Sequence, residues 1–202
     1  MAKWLPTIGY ALLGVLAREP LSGYDISRRM KASVGAFWQA QRSQIYPELA
    51  RLEAAGLVAH HRVEQLDRPD KKVYQITDDG RTTLRRWVTE PAGVPASRNE
   101  FVLKVYSLWL AEPRQALAFV RAREAQHRDR LDRLESTALA LEGETGGELL
   151  RPDTPGFGSY ATVLAGIHAE RAQVDWCAWL ADRFERAHRP SDSTVTATPV
   201  AP

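Results

Sequence analysis

The sequence predicts a mainly α-helical protein with one small β-hairpin, and two patterns support this prediction. Apolar residues recur at steps of three and four along most of the chain, which is the spacing of an amphipathic helix. Two short stretches after Gly56 instead alternate between apolar and polar residues, as strands do. With 202 residues, 44% of them hydrophobic and 26% charged, the chain suits one or two globular domains. No apolar run approaches the roughly 20 residues that span a bilayer, so we expect no membrane contact and a cytoplasmic location.

The first two helices are marked by their apolar spacing and by residues that begin and end helices. Apolar residues between Ile8 and Leu16 follow the i, i+3, i+4, i+7, i+8 pattern, and Pro20 ends this segment. Ser22 is predicted to begin the second helix, because Asp25 three residues later forms a capping-box-like arrangement with it. The start of the chain is therefore predicted to hold two helices in close succession.

The third predicted helix, from Gln41 to Gly56, has one apolar stripe and one polar face. Ser43 can cap its start, Gly56 suits a left-handed residue at its end, and Pro47 falls close to the first turn. Three helices of which the last has a polar N-terminal face form a helix-turn-helix pattern, in which that face enters the DNA major groove. The polar face comprises Arg42, Ser43, Gln44, Tyr46 and Arg51, at or near the N-terminal end.

A basic β-hairpin is predicted directly after the third helix. Residues Val58–Glu64 and Lys71–Ile76 form its strands, and a polar turn joins them. Thr77 is predicted to cap a fourth helix. A helix-turn-helix followed by such a hairpin is a winged helix, whose wing can add salt-dependent affinity for the DNA backbone. The wing cations are Arg68, Lys71 and Lys72.

The charge distribution and the cysteine content limit the classes of function that the chain can have. The net charge is only +2, but residues 1–90 hold 14 Lys and Arg against 10 Asp and Glu, whereas residues 91–202 hold 13 against 15. The basic excess therefore lies in the half with the helix-turn-helix pattern, as binding to phosphate requires. The single cysteine, Cys177, excludes an intramolecular disulfide framework and a multi-cysteine metal site.

Three fragments together resemble the PadR family of bacterial transcriptional regulators. They are Leu-Ser-Gly-Tyr-Asp-Ile at 21–26, the stretch from Gln44 to Val58 with its Tyr-Pro pair, and Val-Tyr-Gln-Ile-Thr-Asp-Asp-Gly at 73–80. The resemblance is close over roughly residues 7–90, and it implies that Tyr24 lies by the DNA backbone. The residues predicted to bind DNA are Tyr24, Arg28, Arg42, Ser43, Gln44, Tyr46, Pro47, Arg51, Arg68, Lys71 and Lys72.

The second half of the chain is predicted to be helical and to form a dimer. Residues 91–95 read as a linker, and Glu100 to Ala111 as a helix that is apolar nearly all round and therefore buried on more than one side. Pro113 begins a helix with a heptad seam, residues 143–158 form a loop, and a last helix runs from about Ser159 to His188. Because such wide apolar faces need a partner, we predict an obligate homodimer. The predicted domains are 1–90 for DNA binding, 96–189 for dimerisation, and 190–202 as a disordered tail.

Three other types of site need to be considered in the second half. Glu124 with His127 and Glu185 with His188 have the Glu-x-x-His spacing of di-iron bundles, although a polar pair on a helical seam more often sets register. Cys177 and His168 lie too far apart on one helix for proton transfer. An aromatic set fits either the dimer core or a pocket for a flat apolar effector, as in some members of the resembling family. That set is Phe101, Tyr106, Trp109, Trp176 and Trp179.

The sequence thus favours a dimeric winged-helix regulator that binds a palindromic operator on double-stranded DNA, most consistent with a repressor released by a small aromatic or apolar effector. We expect no metal, no cofactor and no enzymatic activity. Two alternatives remain open at this point: a helical protein–protein interaction module without sequence-specific DNA binding, and a metal-dependent bundle enzyme.

Overall fold

A computed structural model describes residues 5–33, 42–64, 70–93 and 99–188. The chain forms two compact units, of which the first comprises Met1–Pro95 with Arg151–Ser159 and the second Ala96–Leu150 with Tyr160–Pro202. Four predicted features lie outside the described residues: Gln41, Arg68 with most of the wing turn, the end of the linker, and the tail from residue 190. The side chain of Arg42 is outside them too.

The first unit contains four helices and a small sheet in its described residues, and the predicted winged helix is confirmed. Helix α3 begins at Arg42, so Ser43 lies inside its first turn rather than at its cap. Gly56 follows the helix with φ of +71°, the left-handed conformation predicted for it. The elements are α1 (Thr7–Leu16), β1 (Leu21–Ser22), α2 (Gly23–Ser33), α3 (Arg42–Ala54), β2 (Val58–Val63), β3 (Lys71–Ile76) and α4 (Asp78–Trp87).

The core of this unit is built from the apolar stripes of the three predicted helices. Helix α4 packs on α1 through the rings of Tyr10 and Trp87, which stack at 4.4 Å with an interplanar angle of 4°. Burial of each large aliphatic side chain contributes about 1.5–3 kcal/mol, so these stripes supply much of the stability of the unit. The fully buried residues are Leu12, Leu13, Leu16, Ile26, Ile45, Leu49 and Leu52.

The sheet has three strands in the order β1-β3-β2, all antiparallel. The predicted β2–β3 hairpin is present, and its register places Val58 opposite Ile76 and Val63 opposite Lys71. The short strand β1 was not predicted, because two residues are too few to show alternation. Pairing of Leu21 with Tyr74 fastens the hairpin to the start of α2.

The capping-box-like arrangement predicted at the start of α2 is present. The Ser22 hydroxyl donates to Asp25 Oδ2 at 2.6 Å, and the Asp25 backbone N–H donates to Ser22 Oγ at 3.2 Å. We therefore expect Ser22→Ala to lower the free energy of unfolding by about 1 kcal/mol, measured by urea denaturation. Ser27→Ala, a change of the same size within the helix, should have little effect. Equal losses in the two variants would contradict the capping role.

The second unit is helical, and its element boundaries differ from the predicted ones. Helix α6 continues through Gly143 to Thr145, and α7 begins at Pro155 with Thr154 Oγ1 accepting from the Phe157 N–H at 3.2 Å. Most of the predicted loop over 143–158 is thus helical, because the glycines and the proline there are tolerated at helix ends. The elements are α5 (Glu100–Tyr106), a 3₁₀ turn (Leu108–Leu110), α6 (Pro113–Thr145), a second 3₁₀ turn (Gly146–Leu150) and α7 (Pro155–His188).

The seam predicted along α6 is buried or half-buried throughout and packs against α7. The predicted end of the helix over residues 100–111 was wrong, because the helix ends at Tyr106. Within a single chain, Phe101 is the only buried residue of this helix. Tyr106 is 83% exposed and Trp109 is 77% exposed, and Val102, Leu103 and Leu110 are exposed with them. No helix among the described residues is long and apolar enough to cross a membrane.

Candidate nucleic-acid interface

The N-terminal half of α3 presents polar side chains on the face opposite the core. Ser43, Gln44 and Pro47 are exposed, and Tyr46 is 47% exposed, whereas the neighbouring Ile45 is buried. The helix therefore has the buried stripe and the outward polar face that the sequence predicted. A helix of this form, seated on a rigid three-helix core, can place its first turns in a major groove.

Tyr46 is positioned by a glycine at the start of α2. A Cβ atom on Gly23 would lie 2.6 Å from a ring carbon of Tyr46, so the ring packs directly on the glycine backbone. The next residue, Tyr24, is 59% exposed. This close approach explains why the Gly-Tyr pair of α2 and the Tyr-Pro pair of α3 occur together in the sequence.

The structure places Arg51 differently from the prediction. Arg51 lies in the last turn of α3, about 12 Å along the helix from Ser43 at a rise of about 1.5 Å per residue. Its Nη2 donates to Glu48 Oε1 at 2.6 Å, and Glu48 is buried beneath Gly9, where a Cβ would come within 2.5 Å of the carboxylate. Arg51 was grouped with the N-terminal residues because it shares their helix face, but its position and partner indicate that it neutralises a buried carboxylate.

The cations of α2 have acidic neighbours. Arg28 is exposed and lies 3.4 Å from Asp25, while Arg29 forms an ion pair with Glu19. Exposed ion pairs of this kind are worth well under about 1 kcal/mol, so they break readily when a phosphate approaches. Arg28 is thus exposed, and its contact with DNA stays a prediction.

The wing carries more positive charge than the sequence reading assigned to it. Lys71 and Lys72 are exposed at the start of β3, and the register places Arg62 directly opposite Lys72. Like charges opposite each other destabilise a hairpin by up to about 1 kcal/mol. Because a bound anion would offset this repulsion, the pair indicates a surface that binds an anion. Arg62 was missed because its position opposite Lys72 is set by the strand register, in which counting forward from Val58 and back from Ile76 brings the two residues together.

Contacts between α3 and β2 link the helix with the polar face, called the recognition helix below, to the wing. His60 Nδ1 contacts Glu53 Oε1, and the His60 ring lies 5.6 Å from that of Tyr74. Burial, together with the nearby Glu53 and Tyr46, raises the pKa of the Tyr74 phenol. His60 is half-buried and His61 exposed, which confirms that these neighbours face opposite sides of the strand.

The junction between β3 and α4 explains the last of the three sequence fragments, at residues 73–80. Thr77 Oγ1 accepts from the Gly80 N–H at 3.1 Å and donates to the Gly56 carbonyl at 2.7 Å, so the predicted cap is confirmed. The Thr77 N–H also donates to the Leu57 carbonyl at 3.1 Å. A Cβ on Gly80 would lie 2.8 Å from Ile76 Cγ1 and closer still to the Leu57 carbonyl oxygen. The Thr-x-x-Gly pattern thus fastens α4 to the end of the recognition helix.

The aromatic residues predicted to bind an effector do not form one pocket. Phe101 is buried against Trp176 in an edge-to-face contact at 5.7 Å, whereas Tyr106 and Trp109 are exposed. Trp179 is also exposed, with the guanidinium of Arg183 at 5.6 Å from its ring centre. The structure instead adds Phe119, 5.1 Å from Phe101, which the sequence reading missed because its contact with Phe101 depends on how α5 packs on α6.

The Glu-x-x-His pair on α6 is already engaged by protein groups. Burial disfavours ionisation of Glu124, yet hydrogen bonds from Arg121 and Arg128 bring its pKa below the ordinary value. His127 Nδ1 contacts Glu170 on α7. Within the described ranges, no three His, Cys, Asp or Glu side chains are grouped as a metal site would need. These contacts favour a role in setting the register of α6 against α7.

Comparisons with known proteins agree with this geometry. Residues 12–86 match the model of the transcriptional regulator PadR-like family, and residues 97–185 match that of the virulence activator alpha C-terminal region. The chain is 31% identical over 168 residues to the negative transcriptional regulator PadR of Bacillus subtilis, covering 83% of this chain and 91% of that protein. This chain belongs to the PadR-like family. It is a transcriptional regulator, and the family resemblance seen in the sequence is confirmed.

Two solved structures of Bacillus subtilis PadR are similar to this PadR-like chain over nearly their whole length. The complex of that protein with operator DNA has a TM-score of 0.78 at 28% identity, covering 89% of this chain and 99% of that one. Its complex with p-coumaric acid has a TM-score of 0.74 at the same identity and coverage. The similarity extends from the winged helix into the C-terminal helices, so the whole described chain has the PadR architecture.

Proposed function

We propose that this PadR-like regulator is a cytoplasmic repressor that binds a palindromic operator as a homodimer and is released by a small-molecule effector. One observation carries the proposal: the exposed polar turn of α3 lies in the same unit as a wing on which two exposed cations, Arg62 and Lys72, lie opposite each other. The name of the Bacillus subtilis relative and its complex with operator DNA support repression through DNA binding. We assign DNA binding to residues 1–90 and dimerisation to residues 96–189.

The proposed DNA contacts divide into two classes. Ser43, Gln44 and Tyr46, at the start of α3, reach base edges and provide sequence preference, with Arg42 and Pro47 beside them. Cations on the wing and on α2 contact phosphates, which adds affinity without sequence information. The phosphate class comprises Arg28, Arg62, Arg68, Lys71 and Lys72, together with the hydroxyl of Tyr24. We do not assign Arg51 to the residues that contact bases, because its side chain donates a hydrogen bond to Glu48.

Exposed apolar residues of the second unit support the homodimer. Leu103, Tyr106, Trp109 and Leu110 project from α5 and the following turn, where a single chain leaves them in water. A second copy that covers them removes this apolar surface from water, which stabilises the dimer by about 25 cal/mol per Å² of surface buried. Two-fold symmetry would then place the two α3 helices about 34–36 Å apart, or at a multiple of it, on a palindromic site.

The proposal is tested with the purified full chain and a labelled fragment of its own upstream region, by fluorescence anisotropy over a salt series. We expect specific binding that weakens steeply with salt. Lys72→Ala and Arg62→Ala should each lower affinity for all sequences and reduce the slope of log K against log salt by about one, because each removes about one phosphate contact.

Arg85→Ala is the matched control, since it removes one exposed cation from α4 of the same unit rather than from the wing. Its salt slope should equal that of the unaltered protein. If Lys72→Ala, Arg62→Ala and Arg85→Ala all behaved alike, the wing would have no special role. Absence of salt-dependent binding to any DNA would replace the proposal with a helical protein–protein interaction module.

A further inference from the structure

Glu48 places a carboxylate on the buried side of the recognition helix. It lies on the apolar stripe of α3, between the fully buried Ile45 and Leu52, and it is itself buried. Its Oε1 lies against Gly9 of α1, where a Cβ atom would approach within 2.5 Å. The absence of a side chain at Gly9 therefore provides the space that the carboxylate occupies.

The charge of this carboxylate is balanced by a single arginine. Arg51 Nη2 donates to Glu48 Oε1 at 2.6 Å, and no second cation in the described part of the chain pairs with Glu48. The Arg51 side chain is 51% exposed. It lies seven residues after Gln44, which is about two helical turns, so both side chains leave α3 on the same side. Arg51 is thus a cation at the surface of the recognition helix whose charge is balanced from the interior.

This ion pair differs from those on α2 in the burial of its carboxylate. The acidic side chains that pair with Arg28 and Arg29 are 29% and 47% exposed, whereas that of Glu48 is 9% exposed. An exposed carboxylate is solvated by water as soon as its arginine turns to a phosphate, so such a pair is easily broken. A buried carboxylate that loses its arginine becomes an uncompensated charge in the interior, which costs far more. Arg51 is therefore expected to keep its internal partner when DNA approaches.

The neutrality of this pair affects how α3 binds DNA. Sequence-independent affinity comes from cations that neutralise phosphates and so release the counterions of the DNA. A guanidinium that a carboxylate already balances adds little to this effect. With Arg51 balanced in this way, Ser43, Gln44 and Tyr46 reach the groove as neutral polar side chains, and cations on the wing and on α2 supply the contacts with phosphate.

We propose that Glu48 is a positioning residue of the DNA-binding surface. It holds the guanidinium of Arg51 and keeps its charge from neutralising a phosphate, which limits the affinity of the recognition helix for DNA of any sequence. The inference rests on the proposed function, since it requires that α3 enter the groove. A buried carboxylate that does not touch DNA then sets how strongly DNA binding depends on salt.

The test measures binding of the full chain to a scrambled duplex by fluorescence anisotropy over a salt series. Glu48→Gln is nearly isosteric and keeps an oxygen that can accept from Arg51, so it removes the charge of the carboxylate and little else. We expect this variant to bind the scrambled duplex roughly three- to tenfold more tightly near physiological salt, because Arg51 then neutralises about one phosphate. The slope of log K against log salt should become steeper by about one.

A double variant distinguishes an arginine that is kept from phosphate from one that already contacts DNA. Glu48→Gln combined with Arg51→Gln removes both charges of the pair, so its salt slope should equal that of the unaltered protein. A slope shallower by about one would show that Arg51 contacts phosphate in the unaltered protein, and it would overturn the proposal. Unchanged or weaker binding of the scrambled duplex by Glu48→Gln would overturn it too.

Asp182→Asn is the matched control for the change in net charge. Asp182 also pairs with an arginine on its own helix, Arg186 of α7 at 2.9 Å, but this pair lies in the second unit. Its affinity for the scrambled duplex and its salt slope should equal those of the unaltered protein. An increase as large as that of Glu48→Gln would show that any added positive charge has this effect, and the special role of Glu48 would be refuted.

Thermal unfolding tests the ion pair without DNA. Arg51→Gln alone leaves the buried carboxylate of Glu48 unpaired, so it should lower the unfolding midpoint by several degrees. The same change in the Glu48→Gln background should lower the midpoint much less, because no buried charge then remains to be balanced. Equal losses in the two backgrounds would contradict the pairing on which the proposal depends.

Binding by the unaltered protein separates this inference from the proposed function. If the unaltered protein binds its upstream fragment in a salt-dependent way and Glu48→Gln behaves identically, the inference about Glu48 fails and the proposed function stands. If the unaltered protein binds neither the upstream fragment nor the scrambled duplex at any salt concentration, the proposed function fails, and the inference about Glu48 fails with it.

Discussion

Replacement of Gly80 by alanine is expected to destabilise the winged helix by about 3 kcal/mol, the largest effect we expect for any single methyl group in this chain. The added Cβ would lie 2.8 Å from Ile76 Cγ1 and still closer to the Leu57 carbonyl oxygen. That oxygen cannot move away freely, because it accepts from the Thr77 N–H at 3.1 Å. Urea denaturation followed by circular dichroism should show an earlier unfolding transition.

Gly14→Ala is the matched control for this change. Gly14 lies inside α1, and a Cβ there would meet nothing within 4 Å. Alanine in a helix interior is more favourable than glycine by about 0.5–1 kcal/mol, so this variant should be slightly more stable than the unaltered protein. If Gly80→Ala were as stable as Gly14→Ala, the close packing of α4 on the Leu57 turn would be refuted.

Replacement of Tyr46 by alanine is expected to lower sequence preference in DNA binding while leaving salt-dependent, nonspecific binding in place. Tyr46 is half-exposed at the start of α3, where the proposed function places base contacts, and its ring is held against Gly23. Loss of one good base contact costs about 1–3 kcal/mol, a factor of about 5 to 150 in the specificity ratio. Anisotropy with the upstream fragment and with a scrambled fragment measures this ratio directly.

Two further variants separate the roles of the Tyr46 hydroxyl and of the ring position. Tyr46→Phe keeps the ring on Gly23, so any loss of specificity must come from the hydroxyl. Gly23→Ala keeps the tyrosine but pushes its ring aside, since the new Cβ would lie 2.6 Å from a ring carbon. We expect Gly23→Ala to lower specificity too, and a variant with full specificity would show that the ring position is unimportant.

Much of the fold could be predicted because its signals are local. The helices of the winged helix follow from apolar spacing, and the caps at Ser22 and Thr77 follow from side chains that bond within three residues. The wing strands follow from alternation. Boundaries in the second half were harder to place, since the glycines around 143–147 suggested a loop where α6 continues through Gly143.

The site shows the same division between local and long-range information. The exposed residues at the start of α3 could be found from the pattern opposite its apolar stripe. The pairing of Arg51 with a buried carboxylate could not, because the burial of Glu48 depends on how α3 packs against Gly9. Arg62 was missed for a related reason, since only strand pairing sets it against Lys72.

The sequence by itself determined the helices of the winged helix, the caps at Ser22 and Thr77, the strands of the hairpin and the polar face of α3, because each follows from a pattern of residues close together in the chain. Only the tertiary structure decided which distant residues meet: Gly23 with Tyr46, Gly80 with Leu57, β1 with β3, and Phe101 with Phe119 and Arg123. Such contacts depend on how whole elements pack, and a periodic pattern contains no information about the element on the other side of the contact.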